Sequence, residues 1–354
     1  MAVVTSKVSN SENFNLKYYI KKLLNSIIPN FFVIALMEKS FTHFGMEISN
    51  ACNANCSFCA YRFMTRKLSI IDNESTEKAV SEYNNLGGGT ISFTPVVGDP
   101  LVDKNLIEKI KICSQKKNIK EIFLYTNGIF LNRFNLKNLL QSGLTRIAIS
   151  TYVGSAEKYF KYYGAKHYAQ VIKNIIDLAE LNNKLSNPLQ ITLHLRVDLP
   201  KEKWQQNNDF IKISKLISEE NISWLEVYEN WSGKINQSDI PEGCTLSDIV
   251  GIDEKIKSPC FEMYRRIHVL ADGSVGVCSC RDIDAEINIG DIKNSSLKKI
   301  WQNQKLKDYR NNWKKGNLPS ICKNCDRYQP VDQYIKKNKF DIVRTHISRS
   351  LRSN

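Results

Sequence analysis

Alternating strand and helix patterns run through residues 44–230. Short apolar segments typical of buried strands occur at 44–49, 90–95, 121–125, 146–150, 190–197 and 223–228. Apolar residues at helical spacing fill the intervals at 73–86, 103–115, 135–142, 167–182 and 202–219. Strands that alternate with helices favour parallel pairing with right-handed crossovers. The pattern therefore predicts an α/β fold, an open or partial barrel.

The pattern changes after residue 240. Two apolar runs, 267–270 and 275–278, flank Asp272-Gly273, which is a strong signal for a β-hairpin. We therefore divide the chain into an N-terminal helical extension (1–40), an α/β core (41–235), a small second domain (236–330) and a tail (331–354).

Both ends of the chain have amphipathic patterns. Residues 14–28 place apolar side chains at helical spacing opposite lysines, and the tail is basic. The apolar stripe predicted for the tail consists of Phe340, Val343, Ile347 and Leu351. Such helices either cover the barrel or touch anionic lipid, so peripheral membrane contact is an alternative.

Composition and charge narrow the class of protein. The 354 residues include 42% apolar residues, which is ordinary for a globular protein, and carry a formal charge of +14. The excess charge favours an anionic partner such as a phosphorylated substrate, although a solvated basic surface explains it equally and nucleic acid is disfavoured. The N-terminus has no secretory pattern, and the apolar run at 27–37 is too short to cross a bilayer, so we expect a cytoplasmic protein.

Three of the ten cysteines lie within one short segment directly after the first predicted strand. Cys52, Cys56 and Cys59 are separated by three and then two residues. Three thiolates on one loop can bind a soft metal centre. A structural zinc site uses four protein ligands, whereas a cubane iron–sulfur cluster held by three leaves one iron open for chemistry. Zinc ligands or buried core thiols remain the alternatives.

This motif, with an aromatic Phe58 before its third cysteine, resembles that of the radical S-adenosylmethionine (SAM) enzymes. The resemblance implies a partial (β/α)6 barrel in which Cys52, Cys56 and Cys59 hold a [4Fe–4S] cluster. The amino and carboxylate groups of SAM would then chelate the open iron.

Further SAM contacts follow from the same resemblance. Val97-Gly98-Asp99-Pro100 stands where the family has Gly-Gly-Glu-Pro, and Thr126-Asn127-Gly128 ends the third strand. An arginine inside an apolar strand needs an anion, either the SAM carboxylate or a structural acid. The predicted SAM-binding residues are Phe58, Tyr61, Gly98, Asp99, Asn127, Ser150 and Arg196. Simple turns would also explain the Gly-Asp-Pro and Asn-Gly sequences.

A second group of cysteines follows the α/β core. Residues 260–328 resemble the SPASM or "twitch" extension of some radical SAM enzymes. The resemblance implies that Cys260, Cys278, Cys322 and Cys325 ligate an auxiliary [4Fe–4S] cluster without an open iron. Zinc is the alternative for these four. Cys280 could replace Cys278, and either Cys280 or Cys244 could donate a hydrogen atom to a substrate.

The function implied is a radical SAM enzyme, for which the sequence assigns no catalytic side chain. It would cleave SAM to a 5′-deoxyadenosyl radical that takes hydrogen from a small polar substrate, such as a sugar, an aminocyclitol or a nucleotide-linked sugar. Oxidation would use the auxiliary cluster, and flavodoxin or ferredoxin would supply electrons. A peptide-modifying maturase is one alternative, although residues 1–40 are too few for the usual peptide-binding domain. A zinc-stabilised basic binding protein is the other.

Overall fold

The computed structural model describes residues 25–198, 200–249 and 251–353. Residues 14–24 of the predicted N-terminal helix lie outside the described residues. The strands are β1 (His43–Met46), β2 (Gly89–Phe93), β3 (Ile119–Thr126), β4 (Arg146–Thr151), β5 (Gln190–Arg196), β6 (Ile222–Leu225), β7 (Val227–Tyr228), β8 (Thr245–Leu246), β9 (Arg266–Val269), β10 (Ser274–Gly276) and β11 (Asn288–Asp291).

Helices alternate with most of these strands along the chain. They are α1 (Asn30–Lys39), α2 (Asn73–Asn85), α3 (Leu106–Ser114), α4 (Leu136–Leu140), α5 (Ala156–Tyr163), α6 (Tyr168–Asn182), α7 (Lys201–Trp204), α8 (Asn208–Ser214), α9 (Ile252–Lys255), α10 (Glu262–Arg265), α11 (Leu297–Trp301), α12 (Gln304–Lys314), α13 (Ser320–Lys323) and α14 (Val331–Ser353).

Strands β1 to β6 pair in sequence order, and every pair is parallel. Alternate residues of these strands, such as Ile91, Leu124, Ile147 and Leu193, are buried in one apolar cluster with residues of the crossover helices. A parallel sheet with helices packed on one face is the predicted partial (β/α)6 barrel, so the fold class is confirmed.

The hairpin strands of the second domain extend the barrel sheet, whereas β8 pairs only with β7 in a two-stranded sheet. Strand β9 pairs in parallel with β1 along its whole length, from His43↔Arg266 to Met46↔Val269. The predicted hairpin then places β10 antiparallel to β9, and β11 completes a nine-stranded sheet. The turn depends on Gly273, whose φ of +95° favours glycine. The barrel edge beside the cysteine loop is therefore covered by the second domain.

Two features of the core differ from the sequence prediction. The helix predicted at 202–219 is two short helices, because the Asn207 side chain accepts hydrogen bonds from the Asp209 and Phe210 N–H groups and starts a new helix. Helix α5 was not predicted; the Ser155 side chain caps its start, and Gly164 ends it at φ +61°.

The C-terminal helix α14 packs with a face that differs from the predicted stripe. Ile347 and Leu351 are 56% and 73% exposed, whereas His346 and Arg349 are buried. The Arg349 guanidinium donates to the Phe41 and Leu86 carbonyl oxygens, which explains how a cation occupies the interface. Hydrophobicity alone cannot identify such a face. No helix among the described residues has the length and apolar character needed to cross a membrane.

A buried ion pair joins the two domains. Glu47, directly after β1, is fully buried, and both of its oxygens accept from Arg66, at 2.8 and 3.1 Å. The same carboxylate accepts from the Val96 N–H after β2 and from the Ala271 N–H in the hairpin turn. Arg66 also donates to the Ile283 carbonyl at 2.6 Å.

We expect Arg66→Met to lower the free energy of unfolding by about 3–5 kcal/mol, because it leaves the Glu47 carboxylate buried without its cation. Urea denaturation of anaerobic protein measures this loss. The double variant Glu47→Gln/Arg66→Met should recover part of it. A single variant that costs less than about 1 kcal/mol, as a surface pair would, contradicts the assignment.

Candidate functional site

Loops from six strands meet at one edge of the sheet, because the carboxyl ends of parallel strands lie on the same side. The residues that follow strands β1 to β6 there are the cysteine loop 52–59, Gly98 with Asp99, Asn127, Tyr152, Asp198 and Tyr228.

Helix α5 holds the cysteine loop in place. The Asn55 and Ser57 N–H groups donate to the Tyr163 and Tyr162 carbonyl oxygens, at 3.0 and 2.9 Å. A Cβ on Gly164 would lie 2.7 Å from the Asn55 carbonyl oxygen, so the loop and the helix end can meet only at a glycine. The helix that sequence patterns missed therefore positions the loop.

The three thiols of this loop share one small space. Burial raises the pKa of the Cys56 thiol, and the neighbouring Cys59 and Cys52 sulfurs raise it further. Three thiolates this close repel one another unless a cation lies among them. The donor set fits a [4Fe–4S] cluster, whose irons supply that charge. The Cys59 sulfur accepts from the Tyr61 N–H at 3.5 Å, and the Tyr61 hydroxyl accepts from the Cys52 N–H at 3.1 Å, so Tyr61 closes the loop.

Gly98 and Asp99 pack directly against the segment that leads into the cysteine loop. Gly98 has a φ of +119°, and a Cβ there would lie 2.5 Å from the Ser49 carbonyl oxygen. The buried Asp99 carboxylate accepts from the Thr126 hydroxyl and the Asn127 N–H, both at 2.8 Å, and from the Leu101 N–H at 2.9 Å. Burial raises the pKa of Asp99 to about 6, and these donors oppose the shift.

The Asp99 side chain, for which the sequence predicts a contact with the amino group of SAM, also has partners within this chain. Its two oxygens bind this chain and fix Asn127, whose Nδ2 donates to the Asn53 side chain at 2.6 Å. Asn127 thereby reaches the cysteine loop, with Nδ2 at 3.8 Å from the Cys52 sulfur.

Arg196 lies beside the cysteine loop. Its guanidinium carbon is 5.2 Å from the Phe58 and Tyr228 ring centres, and its charge counteracts the raised pKa of Cys56, whose largest cause is burial. No carboxylate of the described residues lies within ion-pair distance of Arg196, and its Nε is buried without a hydrogen-bond partner. The predicted alternative, a structural acid for this arginine, is thus not found among them.

One face of strands β2 to β5 is polar and partly exposed, and it is the face that carries Arg196. Closed barrels instead fill this face with layers of branched apolar side chains. The side chains of this face are Thr90, Ser92, Glu121, Phe123, Tyr125, Arg146, Ala148, Ser150, Gln190, Thr192, His194 and Arg196, of which Phe123 and Ala148 are apolar. Glu121 pairs with Arg146 at 3.2 Å and accepts from Thr90 at 2.9 Å. Burial, and then Arg196, lower the pKa of His194.

Helix α5 and the end of β5 contribute residues that the sequence analysis missed. The hydroxyls of Tyr159 and Tyr163 are buried without partners, and their rings stack at 4.7 Å. Burial raises the pKa of Tyr163, and Cys56 raises it further, so its hydroxyl lies near the cysteine loop. The tyrosines at helical spacing in 159–163 were the available signal.

Asp198 follows β5 two residues after Arg196. Its side chain is only 2% exposed and pairs with Lys158 at 2.7 Å. The same oxygen, Oδ2, lies 3.3 Å from the Tyr162 hydroxyl, whereas Oδ1 is buried without a partner. The available signal was its even spacing from His194 and Arg196 in the sequence.

The four late cysteines converge at a second place. Burial raises the pKa of Cys322, and Cys278, Cys260 and Cys325 all raise it further, which requires all four sulfurs to be near one another. Cys280 lies beside Cys278, whose pKa burial raises and Cys280 raises further, and Glu262 and Arg266 are the charges that act most on Cys280 itself. Cys278, and not Cys280, is among the sulfurs that raise the pKa of Cys322.

The remaining cysteines occupy other surroundings. Cys113 is buried in α3 within the core, and Cys244 donates to the Val197 carbonyl at 2.9 Å. Across the described parts of the chain, no three His, Cys, Asp or Glu side chains stand close enough together to hold a single metal ion, so the sulfurs of each cysteine set are neighbours at a spacing wider than one ion requires.

Family models match both halves of this arrangement. A model described as the radical SAM superfamily matches residues 46–211, and one described as an iron–sulfur cluster-binding (SPASM) domain matches residues 260–326. These ranges contain the three early and the four late cysteines, respectively.

Named relatives resemble the chain over most of its length. A SAM-dependent 2-deoxy-scyllo-inosamine dehydrogenase from Niallia circulans is 22% identical over 304 residues, covering 84% of this chain and 98% of the relative. A GTP 3′,8-cyclase from Aquifex aeolicus is 21% identical over 296 residues, covering 73% of this chain and 88% of the relative.

Solved structures share the fold. BtrN in complex with AdoMet and 2-DOIA is 19% identical, with a TM-score of 0.53, and covers 83% of this chain and 96% of its own. SuiB from Streptococcus suis, bound to the precursor peptide SuiA, is 12% identical with a TM-score of 0.55. The match covers 94% of this chain and 80% of the SuiB chain.

Proposed function

Because the chain belongs to the radical SAM superfamily and carries a C-terminal SPASM-type iron–sulfur domain, we propose that this enzyme oxidises a small polar substrate. Its cofactors are SAM, a [4Fe–4S] cluster at Cys52, Cys56 and Cys59, and an auxiliary cluster at the four late cysteines. When bound, the first cluster supplies the electron that cleaves SAM, and the resulting 5′-deoxyadenosyl radical takes a hydrogen atom from the substrate.

SAM would lie across the polar face, with its methionine end at the cysteine loop. The Arg196 guanidinium, which has no acidic partner in the described residues, would bind the SAM carboxylate. Gly98 lets its segment pack against the Ser49 and Asn50 backbone beside the cysteine loop, and from there it would contact SAM. Asn127 is held toward the loop by Asp99, and Ser150 would bind a ribose hydroxyl. Phe58 packs on Tyr163 and the Tyr61 hydroxyl accepts from the Cys52 N–H, so both residues hold the loop from positions where they would also contact SAM.

The observation that carries the proposal is the polar face that ends at Asp198. A face lined by hydroxyl, aromatic and charged side chains binds hydroxyl-rich molecules better than it binds apolar molecules, because buried polar groups need hydrogen-bond partners. The unpartnered Oδ1 of Asp198 can accept a hydrogen bond from a hydroxyl or ammonium of a sugar or aminocyclitol. In an oxidation of CH–OH to C=O, Asp198 would accept the hydroxyl proton. The SAM-derived radical would take the hydrogen atom, and an auxiliary cluster held by the four late cysteines would provide the acceptor for the remaining electron.

The named relatives fit this substrate class. The dehydrogenase from Niallia circulans aligns over nearly its whole length. A peptide substrate is the second candidate, favoured by the fold shared with SuiB over 94% of this chain.

The proposal is tested by tracing deuterium from labelled substrates into 5′-deoxyadenosine. Anaerobic enzyme is incubated with SAM, dithionite and sugars or aminocyclitols deuterated at each carbinol carbon. We expect deuterium in 5′-deoxyadenosine for one position of one small molecule. Transfer only from a deuterated peptide would instead support a maturase.

Asp198→Asn is expected to lower substrate oxidation by about 100-fold, the low end of general acid–base contributions, while SAM cleavage continues. Glu157→Gln, on the exposed surface of α5, is the matched control. Liquid chromatography of product and 5′-deoxyadenosine separates the two rates. Equal oxidation by both variants contradicts a proton-accepting role for Asp198.

Location and partners follow from the chemistry. Low-potential clusters require a reducing compartment, so we propose the cytoplasm, with flavodoxin or ferredoxin as electron donor. The exposed Ile347 and Leu351 of the basic helix α14 leave peripheral membrane contact as a further hypothesis.

A further inference from the structure

Lys255 has surroundings that are unusual for a lysine. It ends the short helix α9 and is fully buried. Its backbone carbonyl accepts from the Trp313 indole N–H at 2.7 Å and from the Tyr328 hydroxyl at 3.3 Å. Its ammonium donates to the Lys323 carbonyl oxygen at 3.0 Å, between Cys322 and Cys325 in the sequence. The ammonium is thus anchored at the auxiliary cysteines.

No carboxylate pairs with this ammonium within the described part of the chain. Asp326, the acid whose charge acts on Lys255, is held by Arg281, with contacts of 2.5 and 2.9 Å to its two oxygens. Burial lowers the pKa of Lys255, and the Cys325 and Cys322 sulfurs oppose that shift most strongly. A buried charge without a counter-charge is costly, so the negative charge that stabilises this lysine must come from the thiolates themselves.

We propose that Lys255 sets the reduction potential of the auxiliary cluster. The inference rests on the proposed cluster at Cys260, Cys278, Cys322 and Cys325. Four thiolates give the site a net negative charge, and gaining an electron makes it more negative. A fixed positive charge beside the sulfurs stabilises the reduced form more than the oxidised form. Lys255 thereby makes the site a better acceptor for the one electron that the substrate loses during oxidation.

Three substitutions separate charge from structure. Lys255→Arg keeps the charge, Lys255→Gln keeps a donor for the Lys323 carbonyl without the charge, and Lys255→Met keeps neither. Lys257→Met is the matched control, because Lys257 lies two residues after α9, is exposed and pairs with the exposed Glu254. The first cluster, in the same molecule, is an internal control.

Potentiometric titration of the anaerobic two-cluster enzyme, followed by electron paramagnetic resonance, is the measurement. The Cys52/Cys56/Cys59→Ala variant identifies the auxiliary signal. We expect Lys255→Gln and Lys255→Met to lower the auxiliary potential by at least the equivalent of a tenfold change in the reduction equilibrium, about 59 mV for one electron. Lys255→Arg and Lys257→Met should remain near wild type.

Each other outcome overturns the inference in a distinguishable way. An unchanged potential in loaded Lys255→Gln refutes the role of charge, and a shift in Lys255→Met alone assigns Lys255 a structural role. Wild-type protein that binds no auxiliary iron refutes the proposed cluster itself, and with it this inference. Iron content and the signal of the first cluster separate these cases.

Discussion

Replacing Cys52, Cys56 and Cys59 together with alanine is expected to abolish reductive cleavage of SAM to 5′-deoxyadenosine. The three sulfurs come from one loop and share one small space beside Arg196, so no other group of the loop can replace them as ligands. Without the cluster no electron reaches SAM, and the loss should exceed 1,000-fold, the limit of most assays, because the uncatalysed reference reaction is far slower.

The measurement is chromatography of 5′-deoxyadenosine formed under dithionite by anaerobic protein. Cys113→Ala is the matched control, because Cys113 is also buried but lies in the α3 core. That control should keep its cleavage activity and lose only some stability. Cleavage by the triple variant at the rate of the control would refute the role assigned to the loop.

Replacing Cys322 and Cys325 with serine is expected to abolish substrate oxidation while SAM cleavage persists. The two residues belong to the convergent set at the second site, and the first site lies on a different loop. Iron should fall from about eight to about four per chain, because one of two four-iron clusters is lost. Hydrogen abstraction would then occur without an acceptor for the electron that the substrate radical must lose.

Cys280→Ser is the control for this variant, because Cys280 lies beside Cys278 but is not among the sulfurs that raise the pKa of Cys322. It should retain both iron and oxidation. If the double variant oxidised the substrate fully, the auxiliary cluster would not be the electron acceptor in the reaction. Loss of both activities in a variant that still unfolds cooperatively would mean that the second site supports the first.

The buried Arg281–Asp326 pair beside the second site offers no comparable test, because that pair holds several segments at once. Asp326 also accepts from the Asn230 N–H at 2.9 Å and from Ser247, which ties the Cys-x-x-Cys segment to the chain after β6. A substitution there would move both the cluster and the barrel mouth.

The sequence by itself determined the local features. Alternating apolar runs and helical spacings predicted the partial barrel, and the Asp272-Gly273 turn predicted the hairpin, because both depend on periodicity and turn chemistry within a short segment. The two cysteine sets were likewise visible, since ligands for one centre are partly clustered along the chain. Helix α5 was missed because its buried side is made of tyrosines, which periodicity analysis counts poorly as core.

Only the tertiary structure decided which strands and side chains that are distant in the sequence lie next to one another. It placed β9 beside β1, turned the Asp99 carboxylate to Thr126 and Asn127, and brought Asp198 and the α5 tyrosines to the barrel edge. It also buried Lys255 among distant cysteines. The physical reason is that a charge or hydroxyl takes its role from the partner it finds after folding, and that partner is far away in the sequence.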